Sequence, residues 1–144
     1  MATRLQPNQI QNLQQLEAAV SGPDGANRLF TVSGQTLNVG FSVFSPGSFT
    51  TQTQTFTLLA GPVLTRQQFF RAICTVALAS TTQHIQVAPG DFGWAIISSD
   101  ADWDDESGQV ELRVEVSVSA GGSSNSAALN SFSFQVTILA AVAA

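Results

Sequence analysis

The residues best able to do chemistry form one acidic stretch, from 100 to 111. Four of its carboxylates have the spacing of positions 1, 3, 5 and 12 of the calcium-binding loop of an EF-hand: Asp100, Asp102, Asp104 and Glu111. Position 6 of that loop needs glycine for its sharp turn, and here it is Asp105, between flanks that read as strands. Two interpretations stay open. The stretch is either a calcium site on a β-loop, or an acidic connection in which Asp and Ser side chains form turns and Gly108 reverses the chain.

The other reactive side chains lack partners in the sequence. The chain has one histidine, His84, and one cysteine, Cys74, which excludes a His/Cys metal cluster or a disulfide framework within one chain. Cys74 lies in an alternating apolar run, which predicts a buried, unreactive thiol. Asp91 could pair with the acidic stretch for glycoside hydrolysis, but no motif supports this, and no serine lies in a nucleophile elbow. We therefore predict a protein that is not an enzyme, with no catalytic residue and no cofactor.

Charge is scarce in this chain. Of its 144 residues, 10% are charged, against about 25% in an ordinary soluble domain, and the net charge is −5. Without a basic patch, the chain is not expected to bind nucleic acid or an anionic membrane surface. The first residues have no apolar core of a signal peptide, and no apolar run approaches 18 residues, so we expect synthesis in the cytoplasm without a leader and no membrane span. A surface rich in amides and hydroxyls suits a protein that packs against copies of itself.

Alternation of apolar and polar residues indicates strands through most of the chain beyond residue 28. The clearest strands cover 109–119 and 131–138, and the glycine- and serine-rich stretch 120–126 between them predicts an antiparallel hairpin. A further strand is predicted from about Phe69. The Thr/Gln-rich stretch 49–57 reads as a strand that is polar on much of both faces, and whether it forms an edge that pairs with another chain stays open. Many short strands separated by Gly, Pro and Ser predict an all-β antiparallel sandwich or jelly roll.

The N-terminal segment is predicted to be a short α-helix. Asn8 is a possible N-cap, with Gln11 three residues on, and the stretch 21–25 contains the glycine and proline that end helices. Apolar residues follow at intervals of three, three and four, as on one helix face: Ile10, Leu13, Leu16 and Val20. We accordingly divide the chain into a helical segment, 1–25, and a β-sandwich domain, 26–144.

The apolar helix face has two possible uses. It either covers the chain's own domain or meets a second copy, and two heptads are too short to form a coiled coil without help from a globular part. Taking the second use, we predict that five residues form the interface: Leu5, Ile10, Leu13, Leu16 and Val20.

In composition and layout the chain resembles small β-rich structural proteins of phage virions and phage-like particles, such as capsid decoration and tail accessory proteins. The resemblance is carried by the Gln-rich N-terminus, the low charge, the absence of a signal peptide and the β-rich body ending at 131–139. It implies a homo-oligomer, often a trimer, that binds a larger protein lattice and is incorporated into a virion or extracellular particle.

Together these features predict a non-enzymatic structural protein that self-associates, with a trimer favoured, and packs onto a larger protein assembly. The alternative is a ligand-binding β-sandwich module, lectin-like and dependent on calcium held at 100–111.

Overall fold

The computed structural model describes residues 2–22 and 25–141, and within these ranges regular structure is almost entirely β. One 3-10 turn covers Pro7–Gln9. The strands, in chain order, are β1 (Ala2–Arg4), β2 (Ile10–Gly22), β3 (Gly25–Thr36), β4 (Phe41–Pro46), β5 (Thr50–Ala60), β6 (Phe69–His84), β7 (Phe92–Trp103), β8 (Val110–Ala120) and β9 (Ser123–Ala140). The all-β prediction is thus confirmed.

The strands form two sheets. The four-stranded sheet has the order β1-β5-β8-β7, in which β1 is parallel to β5 and the other pairs are antiparallel. The five-stranded sheet is built around β9. One side of β9 pairs with β6, and the other side pairs with β4 along its first half and β3 along its second half, while β2 lies beyond β3.

The core lies between the sheets, because β8 and β9 each turn one apolar face inward. Five inward residues of β8 are at most 1% exposed: Val110, Leu112, Val114, Val116 and Val118. They are matched by Phe132, Phe134, Val136 and Ile138 of β9, each at most 3% exposed. The alternation read from the sequence therefore identifies the buried face of both strands correctly.

The predicted hairpin between these strands is wrong. β8 pairs with β5 and β7, whereas β9 pairs with β3, β4 and β6, so the glycine turn at 121–122 carries the chain from one sheet to the other. Two strands with one apolar face each can bury those faces by facing one another across a core as well as by lying side by side. Here they face one another, as in sandwich packing.

The predicted N-terminal helix is also wrong, since Ile10–Gly22 forms β2, paired antiparallel with β3. Pairing with β3 satisfies the backbone hydrogen-bonding groups of this segment. An isolated helix of this length would have only marginal stability. Asn8, the expected N-cap, lies in the 3-10 turn. Residues 23 and 24 of the expected helix stop lie outside the described residues. The boundary at 25 falls at the turn between β2 and β3, and as a domain boundary it stays a prediction.

A β-bulge explains why the apolar spacing imitates a helix. The β2–β3 register shifts between Gln11 and Gln14, and Asn12 has the left-handed φ of 55°. The bulge puts Ile10 and Leu13 on the same face of β2 although they are three residues apart, as they would be in a helix. Leu16, three residues beyond Leu13 in the regular part of the strand, lies on the opposite face.

Candidate assembly surface

Strand β2 is the outermost strand on one side of the five-stranded sheet, and β6 is the outermost strand on the other side. Strand β2 pairs with β3 on one side, and no other strand of the described residues pairs with it on the other side. Residues 12–19 are all exposed, so solvent reaches both of its faces. The N–H and C=O groups along such an edge are a ready template for another strand.

The structure separates the five predicted interface residues into two groups. Leu5, Ile10 and Leu13 line a cavity of about 340 Å³ between the edges of the two sheets, together with Val32 and Leu59. Leu5 is only 3% exposed and belongs to the chain's own core, and Ile10 packs against that core. Leu13 stands at the rim of the cavity with 59% of its surface exposed.

The second group lies on the outer face of the sheet. Leu16 and Val20 oppose Thr31 and Asn27 of β3, which alternate with the buried Phe30 and therefore point away from the core. Leu16 is 67% exposed. The predicted residues thus do not form one stripe, but Leu13 and Leu16 flank the same free edge.

Edges of soluble sheets usually carry charges or prolines that discourage pairing. Strand β7, the outermost strand on one side of the other sheet, carries Asp100 and Asp102. Strand β2 has no proline and a single charged residue, Glu17, whose carboxylate is 3.2 Å from the Arg28 guanidinium of β3. The β2 edge is therefore long, and its only charged side chain is already paired.

A second uncharged edge occurs in the four-stranded sheet. β1 covers only the part of β5 from Thr55 to Thr57, so the stretch 50–54 has no strand partner on that side among the described residues. The Thr/Gln-rich stretch therefore lies at an edge along 50–54. It is shorter than β2, and no large apolar side chain lies on it.

Sequence reasoning missed a further group of exposed apolar residues at one loop end of the molecule. Phe44, Phe49, Ile85 and Val87 are between 47% and 60% exposed. Hydrogen bonds join the segments around these residues to the stretch 122–125. Ser45 Oγ donates to the Gly122 carbonyl, and the Gln86 N–H donates to Asn125 Oδ1. The exposure of Phe44 could have been predicted from the sequence. Phe44 occupies an outward position in the alternation whose inward positions are the buried Phe41 and Val43.

Only residues 104–109 of the acidic stretch connect two strands, because Asp100 and Asp102 lie on β7 and Glu111 lies on β8. Asp104 Oδ2 accepts hydrogen bonds from the N–H (3.1 Å) and the hydroxyl (2.7 Å) of Ser107, and these bonds lower the pKa of the Asp104 carboxyl below its ordinary value. Gly108 has the left-handed φ of 72° and reverses the chain. Glu111 forms an ion pair with Arg4 of β1. Within the described part of the chain, no three Asp, Glu, His or Cys side chains lie together as a metal would require.

We therefore expect calcium to have no effect on the melting temperature. A ligand that binds only the folded state raises the melting temperature, and above its dissociation constant the rise grows with the logarithm of its concentration. The check is a thermal melt in millimolar calcium and in EDTA. A rise that grows with calcium concentration and that EDTA reverses would restore the calcium-dependent alternative.

The remaining reactive groups have ordinary surroundings. His84 is exposed, with its Nε2 3.1 Å from the Gln86 side-chain oxygen. Cys74 is only partly buried, on the side of β6 that packs against the core. The described residues include no helix with the length and apolar character needed to cross a bilayer.

Comparison of the chain with protein-family models, curated proteins and solved structures finds no match.

Proposed function

We propose that this chain is a non-enzymatic structural protein that self-associates through strand β2 and packs onto a larger protein assembly. The observation that carries the proposal is the free edge of β2, which is long, has one charge already paired within the chain, and exposes Leu13 and Leu16 on its two faces. A second strand at this edge would satisfy its backbone groups and cover Leu16. Full burial of a leucine side chain contributes roughly 1.5–3 kcal/mol before the costs of association.

Packing onto a larger assembly is supported by the apolar loop end. Its four exposed side chains come from the end of β4 (Phe44), the turn after β4 (Phe49) and the segment after β6 (Ile85 and Val87), and a single second strand at β2 would not cover them. Clustered apolar side chains on a surface mark sites of contact with other proteins. By its resemblance in composition and layout, the assembly we propose is a virion or a phage-tail-like particle.

The test is the absolute mass of the protein by light scattering on a sizing column, over a range of concentrations. We expect a discrete oligomer. The double variant Leu13→Asp/Leu16→Asp should reduce its mass to that of the monomer, because the carboxylate at position 16 would be buried beside the paired strand. Both leucines are exposed in the single chain, so the circular dichroism of the β-fold should not change.

A matched control is Ile97→Asp on β7, where the isoleucine is 51% exposed in the other sheet. This variant should keep the oligomer. A wild-type chain that stays monomeric at every concentration, or a double variant with unchanged mass, would contradict the proposal.

A further inference from the structure

The two-fold symmetry available to β2 specifies how two copies would meet, and the inference rests on the proposed function. When two identical strands pair in antiparallel fashion, directly opposite residues point to the same face of the joined sheet. The two-fold axis therefore passes midway between the two copies of a single central residue. Each choice of central residue gives a different set of neighbours, and charge and apolarity distinguish them.

Centring the axis on Glu17 would oppose two carboxylates, which is destabilising. Centring it on Ala18 avoids this and uses the regular part of β2 beyond the bulge, so that the stretch 14–22 of one copy pairs along its whole length with the same stretch of the other. In that register Leu16 of each copy opposes Val20 of the other.

These apolar residues share the outer face of the sheet. Leu16, Ala18 and Val20 oppose Thr31, Leu29 and Asn27 of β3, which alternate with buried residues. Pairing about Ala18 therefore brings two copies of Leu16, Ala18 and Val20 into one apolar strip across the joint. Leu29 continues this strip on the neighbouring strand of each copy.

The inner face supplies charge complementarity in the same register. Arg28 lies beside Ala19 of its own β2, and Ala19 would lie opposite Glu17 of the second copy. The Glu17 of the second copy would then lie two strand spacings, of about 4.8 Å each, from Arg28. Only the methyl group of Ala19 lies between the two side chains. Arg28 already reaches Glu17 of its own chain, diagonally, at 3.2 Å. Each guanidinium would thus face two carboxylates on the β2 side, one from each copy.

We infer that two copies of this chain pair β2 with β2 in antiparallel fashion about a two-fold axis through Ala18, which joins their five-stranded sheets into one. The closed unit is then a dimer or a larger assembly with an even number of chains. This differs from the trimer that the resemblance implies, so the mass distinguishes the two.

The test is disulfide trapping in a Cys74→Ser background, which removes the native thiol. Directly opposite residues of an antiparallel pair have Cα atoms about 4.5–5.5 Å apart, within the range that a disulfide spans. Ala18→Cys should therefore become a covalent dimer under mild oxidation, and reducing agent should reverse it. The matched control is Leu16→Cys. In the Ala18-centred register its two thiols lie four residues apart along the strands, about 13 Å, so it should stay unlinked.

Each outcome has one meaning. Preferential trapping of Leu16→Cys, a trimeric mass, or an oligomer in which Ala18→Cys does not link would overturn this pairing while leaving self-association intact. A wild-type chain that is monomeric at every concentration would overturn the proposed function itself.

Discussion

Replacing Asn125 with alanine should lower the free energy of unfolding by about 3 kcal/mol, at about 1 kcal/mol for each hydrogen bond lost, less what water recovers. The side chain is completely buried. Its Oδ1 accepts from the N–H groups of Gln86 (2.8 Å) and Val87 (3.2 Å), and its Nδ2 donates to the carbonyls of Val87 (3.2 Å) and Gly121 (2.9 Å). One amide thus connects the segment after β6 to the turn before β9. Urea unfolding at a fixed protein concentration measures the loss.

The same chain offers a matched control in Asn130, also on β9. Its amide makes one long hydrogen bond, 3.5 Å to the Thr82 hydroxyl. Asn130→Ala should therefore change the free energy of unfolding by no more than about 0.5 kcal/mol. Equal losses for the two variants would mean that the four hydrogen bonds of Asn125 do not hold this end together.

Truncating Phe132 to alanine should cost more, about 4 kcal/mol, which is typical of a large aromatic side chain removed from a packed core. Phe132 of β9 is 0% exposed, and its ring centroid is 6.3 Å from that of Phe56 of β5 in the opposite sheet. Phe56 in turn meets Phe41 of β4 edge to face at 6.2 Å. The cavity would thus open where the two sheets contact each other, and calorimetry should show a melting temperature lower by more than about 10 °C.

Phe44→Ala is the control for the same chemical change at the surface, since Phe44 is 58% exposed. It should leave the melting temperature within about 2 °C of the wild-type value, because little buried area is lost. If both variants were equally unstable, Phe44 would have to be part of the core of the native assembly.

What the sequence predicts well are the faces of strands. In β8, strict alternation from Val110 to Val118 identifies the buried side without ambiguity, because a strand has a period of two and nothing else along this stretch competes. Sheet membership is not encoded in that pattern. The apolar face of an alternating strand is buried equally well whether the other strand lies beside it in the same sheet or faces it from the opposite sheet. The assignment of β8 and β9 to different sheets could therefore not be predicted from their residues.

Of the five residues that the helical spacing assigns to an interface, Leu13 and Leu16 lie exposed at the free edge, whereas Leu5 belongs to the core. The helical interpretation failed because one bulged residue, Asn12, puts Ile10 and Leu13 on the same face of a strand at a helical spacing. Such a bulge depends on the partner strand β3, which a local pattern does not include.

The central place of β9 has a consequence for the newly made chain. β9 is the last strand described, yet it supplies the pairing partner of β3, β4 and β6, and Arg28 pairs with Ala140 across most of the sequence. Contacts between such distant residues make folding slow, and strand edges left waiting are prone to aggregate. While the ribosome still holds β9, three strands of one sheet have no neighbour on that side. Folding of this sheet therefore follows the synthesis of β9, and a chain truncated before β9 should enter the insoluble fraction.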